Sequence, residues 1–192
     1  MKKIVFTIIL AFIGIVHVSA EKSFGIKAGL NVASLNGDNT EDFSSRTSFA
    51  GGLFAEFPTS EKIAFQLELL YSEQGAKYSV LESDETLKLN YLNIPLMFKY
   101  YATEGFSIQA GPQIGFLLSA KVDDTNVKDF MTNVDFGLNF GLGYKLKNGL
   151  SFDARYNLGL TNIWETYYYG EDAVINNKNR VWQITLGYAF KQ

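Results

Sequence analysis

Apolar and polar residues alternate along most of this chain, and a period of two predicts β-strands rather than helices. The first run sets Phe24, Ile26, Ala28, Leu30 and Val32 against Lys27, Gly29 and Asn31. A second sets Phe49, Leu53, Ala55 and Phe57 against Ser48, Gly52 and Glu56, and a third Ile63, Phe65, Leu67, Leu69 and Tyr71 against Gln66, Glu68 and Ser72. The fifth runs from Phe106 to Leu118, the seventh from Leu150 to Leu160 and the eighth from Trp182 to Phe190. The sixth is the most regular: apolar residues occupy every even position from Val134 to Leu146, with Asn133, Asp135, Gly137, Asn139, Gly141, Gly143 and Lys145 between them. The fourth changes phase, because Leu87, Leu89 and Tyr91 are odd whereas Ile94, Leu96, Phe98 and Tyr100 are even. An extra residue near Tyr91 and Leu92, forming a β-bulge, would return the apolar side chains to one face.

Eight such strands suit an antiparallel up-and-down barrel, which either faces water or spans a membrane. A soluble barrel points its apolar face inward. A membrane barrel inverts this, with an apolar outer band and a polar interior. The polar face here is rich in Gly, Asn, Gln and Ser, and the apolar face ends in Tyr71, Tyr100, Tyr144, Tyr156, Trp182 and Tyr188. Aromatic residues at strand ends are the girdle of a transmembrane barrel, so the membrane form is expected.

The connections alternate in length. Pro58 to Lys62, Tyr101 to Gly105 and Lys147 to Gly149 are short, whereas Asn36 to Arg46, Glu73 to Thr86, Ser119 to Met131 and Asn162 to Asn179 are long and polar. Outer-membrane barrels have short periplasmic turns and longer outer loops, which puts both termini on the periplasmic side. Pairing Leu146 with Leu150 leaves a three-residue turn, with Gly149 at its left-handed position. In the same register Arg155 faces Gly141, and pairing Tyr100 with Phe106 brings Ile94 opposite Pro112.

Composition narrows the chemistry. Lys2 and Lys3 precede an apolar run from Ile4 to Val16, and Val18-Ser19-Ala20 offers small residues for cleavage before Glu21. Residues 1–20 therefore read as a secretory signal and 21–192 as the barrel domain, since the run is too short for an anchor helix. Removing it takes away His17, the only histidine, and leaves 15 basic against 20 acidic groups. With no cysteine either, most acyl-transfer triads and transition-metal sites lack their side chains, so no enzyme, metal or cofactor is expected. Net negative charge also argues against a nucleic-acid partner.

Four stretches carry a family likeness. Tyr91-Leu92-Asn93-Ile94-Pro95-Leu96-Met97-Phe98-Lys99-Tyr100 resembles the YLxIPLLxKY strand of the PorT-like outer-membrane β-barrel family of Bacteroidetes. Residues Phe152 to Ile163 and Asn179 to Phe190 resemble its RYxxGLxNI and closing strands, and Phe24 to Asn31 fits its GxKxGxN opening. The resemblance implies an outer-membrane location, with the bilayer and the barrel-assembly machinery as partners. The alternative reading is a narrow pore or a transport or secretion-associated component; PorT itself is associated with type IX secretion, a role that a fold-level resemblance does not carry over.

The inward positions then supply candidate residues. Lys27, Glu56, Glu68, Lys99, Asp135, Lys145, Asp153 and Arg155 fall on the polar face. An eight-stranded barrel is just wide enough for side chains to fill, so these are expected to plug the lumen as paired charges. Arg155 should meet a carboxylate from a neighbouring strand. In the last loop Trp164, Tyr167, Tyr168 and Tyr169 form an aromatic group suited to a protein or glycan partner. The loop carboxylates Asp38, Asp42, Asp123 and Asp124 do not have the spacing of an EF-hand. The function expected is a closed structural or interaction barrel presenting four outer loops.

Overall fold

The computed structural model describes residues 22–80, 83–164 and 176–190. Eight long strands form the wall: β1 (Ser23–Gly37), β2 (Phe43–Pro58), β3 (Ile63–Val80), β4 (Ser83–Tyr101), β5 (Phe106–Val122), β7 (Val134–Lys145), β8 (Leu150–Gly159) and β9 (Asn177–Phe190). Between β5 and β7 lie a two-residue strand, β6 (Thr125–Asn126), and a 3-10 turn (Lys128–Phe130). Each long strand pairs antiparallel with the next, and β1 pairs with β9 from Phe24↔Phe190 to Gly37↔Asn177. The sheet closes on itself, so no edge is left to aggregate.

The outer surface is apolar over a defined height. Outward residues from Phe24 to Val32 on β1, Ile63 to Tyr71 on β3, Leu92 to Tyr100 on β4 and Trp182 to Phe190 on β9 each span nine residues. That matches the roughly 9–11 residues a tilted strand needs to cross a bilayer. Ile184 is 66% exposed and Leu53 57%, values that make sense only if lipid covers them.

Glycines let the wall fill its own interior. Phe54 is buried and points inward against Gly25, where a Cβ would lie 2.4 Å from its ring. The turn between β7 and β8 follows the expected pattern: Leu146 N–H donates to the Leu150 carbonyl at 2.7 Å, and Gly149 has φ +91°.

Three expectations are corrected. The predicted connections Asn36 to Arg46 and Glu73 to Thr86 are largely strand, because β1 continues to Gly37, β2 starts at Phe43, and β3 and β4 pair out to Val80↔Ser83. Tyr100 pairs with Ile108 rather than Phe106, and Ile94 with Ile114 rather than Pro112.

The third concerns the phase change in β4. No residue is inserted there: Leu87, Leu89, Tyr91, Asn93, Met97 and Lys99 are all buried and all inward. The bulge lies in β5, where Asn90 pairs with Ser119 and Tyr91 with Leu117, leaving Leu118 unmatched. The apolar residues of β4 change faces because the strand leaves the lipid. Below Tyr91 the outside is hydrocarbon and apolar groups point out; above it the outside is water and they point in. The inward side chains there, Leu35, Ala76, Leu87, Leu89, Tyr91, Leu117, Ala120, Met131 and Ile163, form one apolar core. Phe43, Tyr78, Val122, Val127 and Trp164 pack against it.

Candidate functional site

Below this apolar core the lumen is polar and filled by buried side chains. Strand alternation turns Lys27 of β1, Glu56 of β2, Gln66 and Glu68 of β3, Lys99 of β4, Gln109 of β5 and Asp153 and Arg155 of β8 inward, and all are buried. Lys27 Nζ lies 2.9 Å from both Glu68 Oε1 and Asp153 Oδ2. Arg155 donates through Nη1 to Glu68 Oε2 at 2.8 Å and through Nη2 and Nε to Gln109 Oε1 at 2.8 and 3.2 Å. Gln109 closes the ring by donating to Asp153 Oδ1 at 2.6 Å.

A second cluster sits nearer the short turns. Glu56 accepts from Lys99 at 2.8 Å, Lys145 at 2.7 Å and the Tyr101 hydroxyl at 3.0 Å. Gln66 joins the two clusters, accepting from Lys99 at 3.0 Å and donating to Glu68. Four cations thus share three carboxylates in one hydrogen-bonded network. Desolvating an ion costs several kcal/mol, and close geometry with satisfied hydrogen bonds is what repays it. The exposed Lys147–Glu104 pair, at 3.1 Å, has no such stake.

Asp135 does not join this network. It is buried on β7 and accepts from Asn179 Nδ2 at 2.9 Å, but it has no ion-pair partner among the described residues. The reason is height: Asp135 pairs with Gly115 near the apolar core, whereas Asp153 sits opposite Gly143 at the other end of the strand. Arg155 faces Gly141, where a Cβ would stand 2.6 Å from Arg155 Cγ. Its carboxylate partner, however, is Glu68 on β3, across the lumen rather than on either neighbouring strand. Gln66, Gln109 and Tyr101 were not singled out from sequence, although inward parity on β3 and β5 marks the two glutamines.

At the long-loop end, Trp164 turns into the rim. Its Nε1 donates to Asn177 Oδ1 at 2.8 Å, and its backbone bridges to Met131. Tyr167, Tyr168 and Tyr169 lie outside the described residues, as does the 1–20 segment. Charge ring and apolar core therefore fill the barrel at two successive heights.

Comparison with known proteins agrees with this architecture. Neisserial surface protein A superposes with a TM-score of 0.55 at 16% identity, over 90% of this chain and all of that one. The Yersinia pestis outer membrane protein Ail, in a phospholipid bilayer nanodisc, gives 0.50 at 13% identity over 88% of this chain and all of its own. OprG from Pseudomonas aeruginosa gives 0.49 at 16% identity, over 90% of this chain and 97% of that one. These likenesses are of fold. No curated protein sequence matches the chain significantly. The profile of the outer membrane protein beta-barrel domain family matches residues 20–165, so the chain belongs to that family and is an outer-membrane protein.

Proposed function

We propose that this protein is a closed, non-catalytic barrel that holds its long-loop end at the cell surface as an interaction platform. In this reading residues 1–20 direct export and are removed, and the short turns lie in the periplasm. The observation that supports it most directly is the double filling of the lumen. Arg155, Glu68, Lys27, Asp153 and Gln109 span the bore at one height, and Leu87, Leu89, Tyr91, Leu117 and Met131 fill it at another. A continuous water path would have to break both. The mature chain also keeps no histidine or cysteine for the commoner hydrolytic and redox chemistries.

Planar-bilayer recording on the purified, refolded protein tests the closed state. Wild type is expected to give no stable unitary conductance, and a steady open level would favour the pore reading instead. Deleting residues 165–175, which spares core residue Ile163 and the start of β9 at Asn177, tests the platform: loss of binding to cells or surface glycans, with the barrel still folded, is the expected result.

A further inference from the structure

Just beyond the apolar band, the outer wall carries an arrangement that the barrel itself does not need. Lys88 of β4 and Lys121 of β5 stand directly opposite each other in the strand register. Like charges in that relationship are destabilising. Both point outward, on the wall that lower down carries Leu92 and Leu118, and Lys77 of β3 projects outward beside them. None of the three lysines has a carboxylate within ion-pair distance among the described residues; Lys88 reaches only the Asp123 carbonyl, at 3.4 Å.

The lysine pair lines a cleft of about 270 Å³ together with Arg46, Glu73, Asn90, Ser119, Asp123 and Asp124. Its carboxylates are partly engaged: Glu73 faces Arg46 at 3.5 Å, and Asp123 Oδ1 accepts the Thr86 N–H. Nearer the lipid, Asn90 donates to Ser119 Oγ at 3.0 Å and forms the floor. The bulge at Leu118 sets this geometry, because it re-phases β5 and turns Lys121 outward to meet Lys88.

We propose that this cleft binds the phosphorylated headgroup of a lipid in the adjoining leaflet. A phosphate between Lys88 and Lys121 would turn a repulsive cross-strand pair into two charge-assisted contacts. The long lysine stems let the ammonium groups reach headgroup level while their methylenes lie along the wall. The location one step above an apolar band selects a lipid over a soluble anion, since the acyl chains pack on Leu92 and Leu118 below. This uses the orientation proposed above, but not the closed lumen.

Native mass spectrometry in detergent micelles, which has no sidedness, tests the site independently of orientation and of conductance. The probes are diphosphoryl lipid A, its dephosphorylated form and inorganic phosphate. Wild type is expected to retain one diphosphoryl lipid. Lys88→Gln with Lys121→Gln should lower retention by about tenfold or more, the effect of removing two lysine contacts. The control Lys62→Gln with Lys147→Gln, at the short-turn end, should leave it unchanged. Without lipid, the Lys88/Lys121 variant should melt no lower than wild type, because it relieves repulsion. Equal retention by that variant, equal retention of the dephosphorylated lipid, or equal loss in the control overturns the proposal. So does displacement of the lipid by excess inorganic phosphate, or a lower melting temperature of the lipid-free variant.

Discussion

Arg155 and Glu68 meet across the full width of the barrel, with Nη1 of one 2.8 Å from Oε2 of the other. They come from β8 and β3, strands that share no backbone pairing. The contact therefore reports closure of the cylinder, and neither strand could form it in an open sheet. Arg155→Met leaves Glu68 and Asp153 to share Lys27 alone. Breaking such a buried pair is expected to cost about 3–5 kcal/mol. Urea unfolding in detergent measures it, and the Glu68→Met, Arg155→Met double variant should lose less than the sum of the singles.

Gly141 makes room for that arginine. Alanine there would place its Cβ 2.5 Å from the Ala154 carbonyl oxygen and 2.6 Å from Arg155 Cγ. Gly141→Ala is expected to destabilise the barrel by about 1–3 kcal/mol, as overpacking does elsewhere. An unchanged urea midpoint would mean that the lumen is looser than these distances allow.

The apolar core at the long-loop end should behave like the interior of a soluble protein. Leu89 is fully buried in it, so Leu89→Ala should cost about 2–5 kcal/mol through lost burial and the cavity left behind. Outward Leu30, 55% exposed on the lipid-facing band, should by contrast tolerate Leu30→Ala in detergent with a smaller loss. The ratio of the two, from the same denaturation series, checks the change of inside and outside along β4.

Deleting Leu118 is the sharpest test of the bulge. The deletion keeps Tyr91 opposite Leu117 and Asn90 opposite Ser119, so the β4–β5 register becomes regular and every later residue of β5 keeps its face. Lys121 should stay outward, opposite Lys88. Hydrogen exchange should show protection over residues 119–122 at least equal to that of the parent chain; lost protection there would show that the pairing above Tyr91 needs the extra residue.

Tyr78 adds a pH test above the membrane band. Its hydroxyl donates to Glu85 at 2.7 Å, and burial together with that carboxylate pushes the phenol up from 10.0 to about 12. A raised folded-state value means the neutral phenol is favoured in the fold. Its contribution is fully present below pH 10.0 and is lost as pH rises through about 12. Tyr78→Phe should flatten that part of the stability curve relative to wild type; an identical slope in both would show that the Tyr78–Glu85 bond is not formed.

Local alternation alone determined a great deal. Strict period two from Val134 to Leu146 admits no helix, and the turn from Leu146 to Leu150 follows from one glycine and one spacing. Inward parity also picked out Lys27, Glu68, Asp153 and Arg155 before their partners were known, because a strand assigns each side chain to a face without reference to the rest of the chain. Tertiary structure decided what each face meets. The slip at Tyr91 marks the height at which the surroundings change from lipid to water, and the extra residue that accompanies it sits in the neighbouring strand. The partner of Arg155 and the isolation of Asp135 depend on barrel diameter and strand stagger, which no single strand encodes.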